Sequence, residues 1–290
     1  MIAMNVYPPT PGLPSVMGSD YSGIVTAVGD DVTEFKAGDE VFCLAAGSLL
    51  TDNSWDENSS FAAYINIKAM QIAHKPANIS WEEAAAIPTV FLTSYYALHY
   101  VANLKKEEKV LIHTATGGLG LAAVQIATWL GAEIFVTAGS DEKRAYLKSI
   151  GLKMPMNSRT TLFADEILER TNGEGIDVIL NTLAGEAGNK GIKILKKFGR
   201  FLQIDKKDIA QNRTIELGDF NKGLTYSAID LALLYWRQDQ LKALLNEISD
   251  HIKKNDFGPI KHSTYKIADL GSALMYFSRA QHIGKIILVY

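Results

Sequence analysis

One stretch restricts the fold more than any other: residues 109–145, KVLIHTATGGLGLAAVQIATWLGAEIFVTAGSDEKRA. Lys109–His113 is a short β-branched and aliphatic run. Gly117, Gly118 and Gly120 follow at once and lead into Leu121–Leu130, whose small and apolar residues suit a buried helix. Strand, glycine turn, helix and a second strand at Glu133–Ala138 make half of a nucleotide-binding βαβ unit. A diphosphate at a helix N-terminus touches backbone N–H groups, and a Cβ would hold it away. That assigns Thr116, Gly117, Gly118, Leu119 and Gly120 to cofactor binding. The spacing is Gly-Gly-x-Gly rather than the full Gly-x-Gly-x-x-Gly, so a tight strand-to-helix connection without a ligand remains an equal reading.

The second strand narrows the cofactor. An acidic residue about 20 positions beyond the first glycine would hold a ribose 2′-hydroxyl and select NAD. The strand instead ends in Thr137-Ala138-Gly139-Ser140, with Lys143 and Arg144 one turn later. A small hydroxyl and two cations suit a 2′-phosphate, so Ser140 and Lys143 point to NADPH. Asp141–Arg144 also read as a solvated, capped helix start, and that alternative stays open.

Composition sets the outer limits. With 290 residues, 47% of them hydrophobic, the chain can bury a large core, and two lobes are expected. Its 29 basic and 32 acidic residues give a net charge of −3 with no long run of either sign, which argues against a nucleic-acid partner. The single cysteine, Cys43, excludes a disulfide framework and a multi-cysteine zinc site, and fits a reducing compartment. There is no apolar run of about 18 residues and no signal-peptide pattern, so a soluble cytoplasmic protein without membrane contact is expected.

Residues 1–17 carry four of the eight prolines and read as a loop entering a strand. From Gly18 to Val41, short apolar stretches broken by Gly-Asp and Asp-Asp turns read as a small barrel or meander. Gly47–Ser60 is expected to be an exposed loop, with further strands at Phe61–Ile67 and Met70–His74. Ser80-Trp81-Glu82-Glu83 is a capping box that opens a helical region running on through Thr89–Val101. Beyond residue 145 helices are expected at Thr161–Arg170, Gly185–Lys196 and Gln238–Lys254, and strands at Ile176–Asn181, Arg200–Ile204 and Leu224–Asp230. That alternation argues for an α/β fold with a doubly wound, mostly parallel sheet. Helix Ala268–Ala280 and strand Lys285–Tyr290 return to the first lobe, giving lobes of 1–88 with 259–290, and 89–258. Asn181, at the carboxyl end of a strand, is where the switch-point rule places a nicotinamide neighbour.

This order of lobes, with IHTATGGLGLAAVQIATWLGAEIFVTAGSDEKRAYL, FLTSYYAL, VILNTLAGE, GRFLQIDKKDI and the closing AQHIGKIIL, resembles the medium-chain dehydrogenase/reductase superfamily. Within it the chain is most similar to the enoylreductase domains of modular polyketide synthases and related multifunctional fatty acid synthases. The resemblance implies a Rossmann nucleotide lobe and a smaller GroES-like β-barrel lobe. Relatives begin with further barrel strands, so either the chain is a cut from a larger protein or its first lobe is shortened. The implied activity is an NADPH-dependent enoyl-thioester reduction, with hydride to the β-carbon and a proton to the α-carbon. Its implied partners are an acyl carrier protein and neighbouring synthase domains. A stand-alone quinone or enone reductase and a catalytically silent synthase domain are the alternatives.

Zinc members of the superfamily carry Gly-His-Glu where this chain has Gly18-Ser19-Asp20, so no metal is expected. A conjugated thioester spreads charge onto an oxygen that hydrogen-bond donors can hold. The resemblance adds Arg159, after Asn157-Ser158, to the 2′-phosphate group. It makes Thr93 a cofactor-facing residue or, equally, a packing residue. Tyr7, Lys206 and Asp230 are its candidates for proton delivery, and each also reads as an ordinary surface side chain. Asp205 stands where relatives have glycine. His99 and His113 read as packing or capping residues.

Overall fold

The computed structural model describes residues 18–44 and 60–290 and, for the backbone alone, 48–49 and 55–56. Contacts divide the chain into two compact units, Met1–Leu92 with Asp230–Tyr290, and Thr93–Ile229.

In the first unit, β1 (Asp20–Ile24) pairs antiparallel with β2 (Glu40–Leu44), Tyr21 opposite Cys43. Phe35, Val41, Cys43 and Ile72 form a cluster that Tyr21, Val25, Ile65 and Ile67 cover. The expected loop at Gly47–Ser60 contains a short antiparallel pair, β3 (Ser48–Leu49) with β4 (Trp55–Asp56). β5 (Ile72–His74) joins β2 antiparallel. The strand expected at Phe61–Ile67 does not form. Ile65 and Ile67 sit on the cluster, so their alternation reports burial rather than a ladder. The capping box is real: in α1 (Trp81–Ala85), Ser80 Oγ accepts from Glu83 N at 3.2 Å, and Glu83 Oε2 accepts from Ser80 N at 2.8 Å. α2 (Pro88–Tyr95) passes into a π-helical turn, Tyr96–Val101.

The second unit runs β6 (Lys109–Ile112), α3 (Gly118–Trp129), β7 (Glu133–Ala138), α4 (Asp141–Ser149), β8 (Met156–Asn157), α5 (Phe163–Arg170), β9 (Ile176–Asn181), α6 (Glu186–Lys193), β10 (Leu195–Gln203), α7 (Lys207–Ala210) and β11 (Thr225–Ala228). The strands form one sheet in the order β8-β7-β6-β9-β10-β11, every pair parallel. The chain starts in the middle, winds out to β8 and returns to β9, so this is the expected doubly wound sheet with its switch point between β6 and β9. Register places Phe135, Leu111, Ile179 and Phe201 in one row across four strands. That row packs with Phe163, Ala164 and Ile167 of α5 and Ile192 of α6. The alternate residues Val110, Ile112, Val136, Val178, Leu180 and Leu202 are buried as well, so both faces are covered and the central strands read as apolar runs rather than as alternation. α6 stops before its expected end, because Ile194 and Leu195 are buried where β10 begins.

The chain closes with α8 (Gln238–Lys253), β12 (His262–Lys266), α9 (Leu270–Ser278) and β13 (Lys285–Val289), the two strands parallel. α8 belongs by contact to the first unit, whereas the sequence reading groups residues 89–258 with the nucleotide lobe. Its Lys242 Nζ donates to Ala69 O and Ile72 O at 3.1 Å each and pairs with Glu34 at 2.7 Å, and Ser249 Oγ donates to His74 O at 2.9 Å. Among the described residues no helix is long and apolar enough to cross a membrane.

Candidate cofactor and active-site residues

The glycine turn leaves β6 beside the switch point. Thr114 takes a left-handed φ of 49°, and Gly117 N donates back to Thr114 O at 3.0 Å. Thr137 of β7 holds the turn twice, accepting from Ala115 N at its carbonyl (2.9 Å) and from Thr114 N at its hydroxyl (3.2 Å). Across the switch point, the Thr114 and Thr182 hydroxyls meet at 2.7 Å. Gly117 then caps α3, whose first turn carries no acidic residue and no side-chain cap, so its positive end is left for an anion. A Cβ on Gly117 would meet only Thr114 O, at 3.6 Å. On Gly120 it would lie 2.4 Å from Ala115 Cα, so that glycine is demanded by the close packing of the helix on the turn that leaves β6. Thr93, Thr116 and Gly118 are buried, and Leu119 is half-buried with its carbonyl accepting from Ser94 Oγ at 3.0 Å.

At the end of β7, Ser140 caps α4 by accepting from Lys143 N at 3.3 Å. Arg144 turns away, donating to Ala138 O at 3.0 Å and pairing with Asp141. The second cation is Arg159: its Nε would lie 3.0 Å from a Cβ built on Gly139. Burial, and then the nearby Arg159 charge, push the Lys143 ammonium below its ordinary pKa. Among the described residues Arg159 makes no side-chain hydrogen bond or ion pair; only its backbone N–H is engaged, by Asn157 Oδ1 at 2.9 Å. Like charges repel each other, and an anion bound by both offsets that cost.

Asn181 is fully buried, and its Nδ2 already donates to Leu183 O and Gln203 Oε1, each at 2.7 Å. Gln203 Nε2 continues the chain to Asp205 O at 2.8 Å. Asn181 thus shapes the loop at the switch point, and Gln203, which no sequence signal singles out, shares the task. Lys206 is half-buried at the start of α7, with its carbonyl accepting from Ala210 N at 2.8 Å. Asp230 caps a 3₁₀ turn by accepting from Ala232 N at 3.1 Å. Burial raises the Asp205 carboxyl, which accepts from Lys207 N at 3.1 Å. Tyr7 lies outside the described residues. His113 is buried edge-on to Phe163 and meets Thr137 Oγ1 at 3.0 Å, while His99 stacks on Tyr95.

Ser19 and Asp20 do not point to a lone surface position. Ser19 Oγ lies 3.0 Å from Thr89 Oγ1, and Asp20 accepts from Thr89 and pairs with Lys285. Among the described residues, no three His, Cys, Asp or Glu side chains are grouped to hold a metal.

A six-stranded doubly wound sheet with a glycine turn at its switch point defines a nucleotide-binding α/β protein. The family described as zinc-binding dehydrogenase matches residues 118–249, and the alcohol dehydrogenase GroES-like domain matches residues 1–77. A phenolphthiocerol/phthiocerol polyketide synthase of Mycobacterium tuberculosis is 36% identical over 287 residues, covering 99% of this chain and 13% of that protein. The chain therefore spans about an eighth of the length of the curated relatives it matches. The solved CurK enoyl reductase is 34% identical with a TM-score of 0.81, covering 94% of this chain and 79% of that one. Escherichia coli quinone oxidoreductase, solved in complex with NADPH, is 26% identical with a TM-score of 0.82, covering 100% of this chain and 86% of that one. The chain belongs to the medium-chain dehydrogenase/reductase superfamily, among the enoylreductase domains of polyketide synthases.

Proposed function

We propose that the chain is an NADPH-dependent, zinc-independent enoyl-thioester reductase acting on α,β-unsaturated acyl chains carried by an acyl carrier protein within a synthase. The observation that carries this reading is Arg159 seated beside Gly139, with its charge acting on Lys143, at the end of the strand next to the glycine turn. The lone contact a Cβ on Gly117 would make, with Thr114 O, and the uncapped start of α3 fit a diphosphate, and the two neighbouring cations fit a 2′-phosphate. When bound, the reduced nicotinamide supplies the hydride that reaches the β-carbon. The backbone of Thr116–Gly120 holds the diphosphate. Ser140, Lys143 and Arg159 hold the 2′-phosphate. Thr93 and Asn181 border the nicotinamide end. Lys206 Nζ, the carboxyl of Asp230 and the hydroxyl of Tyr7 are the groups that deliver or relay a proton to the α-carbon. Hydrogen-bond donors hold the charge that develops on the thioester oxygen. Serine at position 19, where zinc members have histidine, supports chemistry without a Lewis acid.

Quinone reduction is the competing reading, supported by the equally good superposition on the NADPH-bound quinone oxidoreductase; the higher identity to CurK favours the thioester. The deciding measurement is loss of NADPH absorbance with crotonyl-pantetheine thioester and with a quinone. Consumption with the thioester alone is expected; consumption with the quinone alone overturns the assignment. In the same assay Lys143→Glu is expected to weaken NADPH at least tenfold while leaving NADH within about twofold, since one charge-assisted phosphate contact becomes a repulsion. Equal losses for both cofactors would remove the 2′-phosphate site.

A further inference from the structure

One partly buried polar cluster of the first unit has no task in that scheme. The Asp20 side chain, at the start of β1, is only 8% exposed. It accepts from Thr89 N at 2.8 Å and from Thr89 Oγ1 at 2.6 Å, and it pairs with Lys285 at the start of β13. Ser19 Oγ joins through Thr89 Oγ1. The partners lie 69 and 265 residues from Asp20, so only the folded unit assembles them. A carboxylate this far from water is costly unless opposite charge and hydrogen-bond donors surround it, and here three donor groups do.

Thr89 is the second residue of α2, and its amide is among those a helix cannot satisfy internally. Asp20 is thus a cap delivered from a distant strand, and its charge also suits the positive end of the helix. Thr93 lies four residues further, on the same face of the same helix.

We propose that Lys285 and Asp20 are positioning residues for the reduction. Lys285 fixes the Asp20 carboxylate, Asp20 fixes the first turn of α2, and the rotation of α2 sets the direction in which Thr93 presents its hydroxyl. The proposal rests on the enoyl-thioester reading and on Thr93 facing the cofactor. It gives the Gly18-Ser19-Asp20 segment, which in zinc relatives serves a metal, a different task in this chain: Ser19 and Asp20 hold a helix.

The test uses the full chain with Lys285→Met and Asp20→Asn, and Lys285→Arg as the conservative control. Amide exchange of residues 89–95 is expected to speed up about tenfold in both neutral variants. The turnover number should fall about tenfold, with NADPH affinity within about threefold, because a small misplacement costs rate while the phosphate contacts stay intact. Lys285→Arg should recover most of both. Should Lys285→Met fail to fold, Asp20→Asn, nearly isosteric, carries the same expectations. Unchanged exchange would overturn the clamp. Faster exchange with an unchanged turnover number would leave a structural tie and overturn the positioning role. A wild-type chain with no thioester turnover would overturn the reductase reading, and the kinetic role with it, whatever the exchange shows.

Discussion

Gly117 and Gly120 stand three residues apart in one turn and are glycine for different reasons. In Gly120→Ala the new Cβ meets the Ala115 backbone at 2.4 to 2.8 Å, and backbone cannot step aside as a flexible side chain would. Overpacking costs about 1–3 kcal/mol, more than the ~1 kcal/mol that alanine gains over glycine inside a helix. The variant is therefore expected to melt several degrees lower. Gly117→Ala meets a single oxygen at 3.6 Å in an ordinary extended conformation, φ −73°, so its melting temperature should move little. If diphosphate approaches the N-terminus of α3, that same methyl group should lower NADPH affinity at least tenfold. Calorimetry and fluorescence titration of the two variants separate the packing glycine from the ligand glycine. Loss of stability in both, with cofactor affinity intact in Gly117→Ala, would show the turn to be only a connection.

At the scale of elements, the ends of β6 and β7 are tied by a buried histidine. Burial lowers His113 from its ordinary 6.5 to about 3, so the folded chain keeps it neutral while the unfolded chain protonates it below about pH 6.5. The unfolded state then binds the extra proton, and the stability contribution, complete above pH 6.5, is lost as pH falls toward 3. Between about pH 6 and 4 the slope from this one group is ~1.4 kcal/mol per pH unit. Denaturant melts across that range should be steeper in pH for the wild type than for His113→Asn; equal slopes would mean that the ring titrates normally. The same strands explain what was legible in the sequence. β6 is an apolar run leading into the glycine turn, and β7 and β9 are apolar-rich runs with Gly139 after one and Gly175 before the other; buried parallel strands look like that. The π-helical turn was not legible, because the Ala102 N to Ala97 O bond that widens the helix leaves no trace in apolar spacing. Lys143 and Arg144 are adjacent in sequence, but neighbours on a helix do not share a face: Lys143 feels the Arg159 charge, while Arg144 donates to Ala138 O. Arg159 entered through family resemblance, and its place beside Gly139 follows from the chain passing through β8 next to β7. Asp20 with Lys285 was beyond any local pattern, since 265 residues separate them.

For the whole molecule, the unit that carries the proposed phosphate-binding residues decides which part can bind cofactor. Every residue proposed to hold phosphate, from Thr116 to Arg159, lies within Thr93–Ile229. So do the six strands of the sheet and the core cluster from Leu111 to Phe201. α8, although it follows that unit in sequence, spends its buried face and its Lys242 on β5 and the segment before it, so removing it takes nothing from the parallel sheet. A segment of residues 88–229 keeps α2 whole and, at roughly 140 residues, is long enough to bury a core of its own. It is expected to unfold cooperatively and to bind NADPH within about tenfold of the full chain, because the charge-assisted phosphate contacts and the α3 terminus are all retained. It should have no thioester turnover, since Tyr7 and Asp230 are absent from it. Asp20 and Lys285 are absent too, so the grip on Thr89 at the start of α2 is lost, and exchange at 89–95 should be faster than in the full chain. A folded segment that fails to bind a cofactor the full chain binds would mean that residues outside Thr93–Ile229 carry part of the phosphate grip, and the assignment of Lys143 and Arg159 would have to be shared with them.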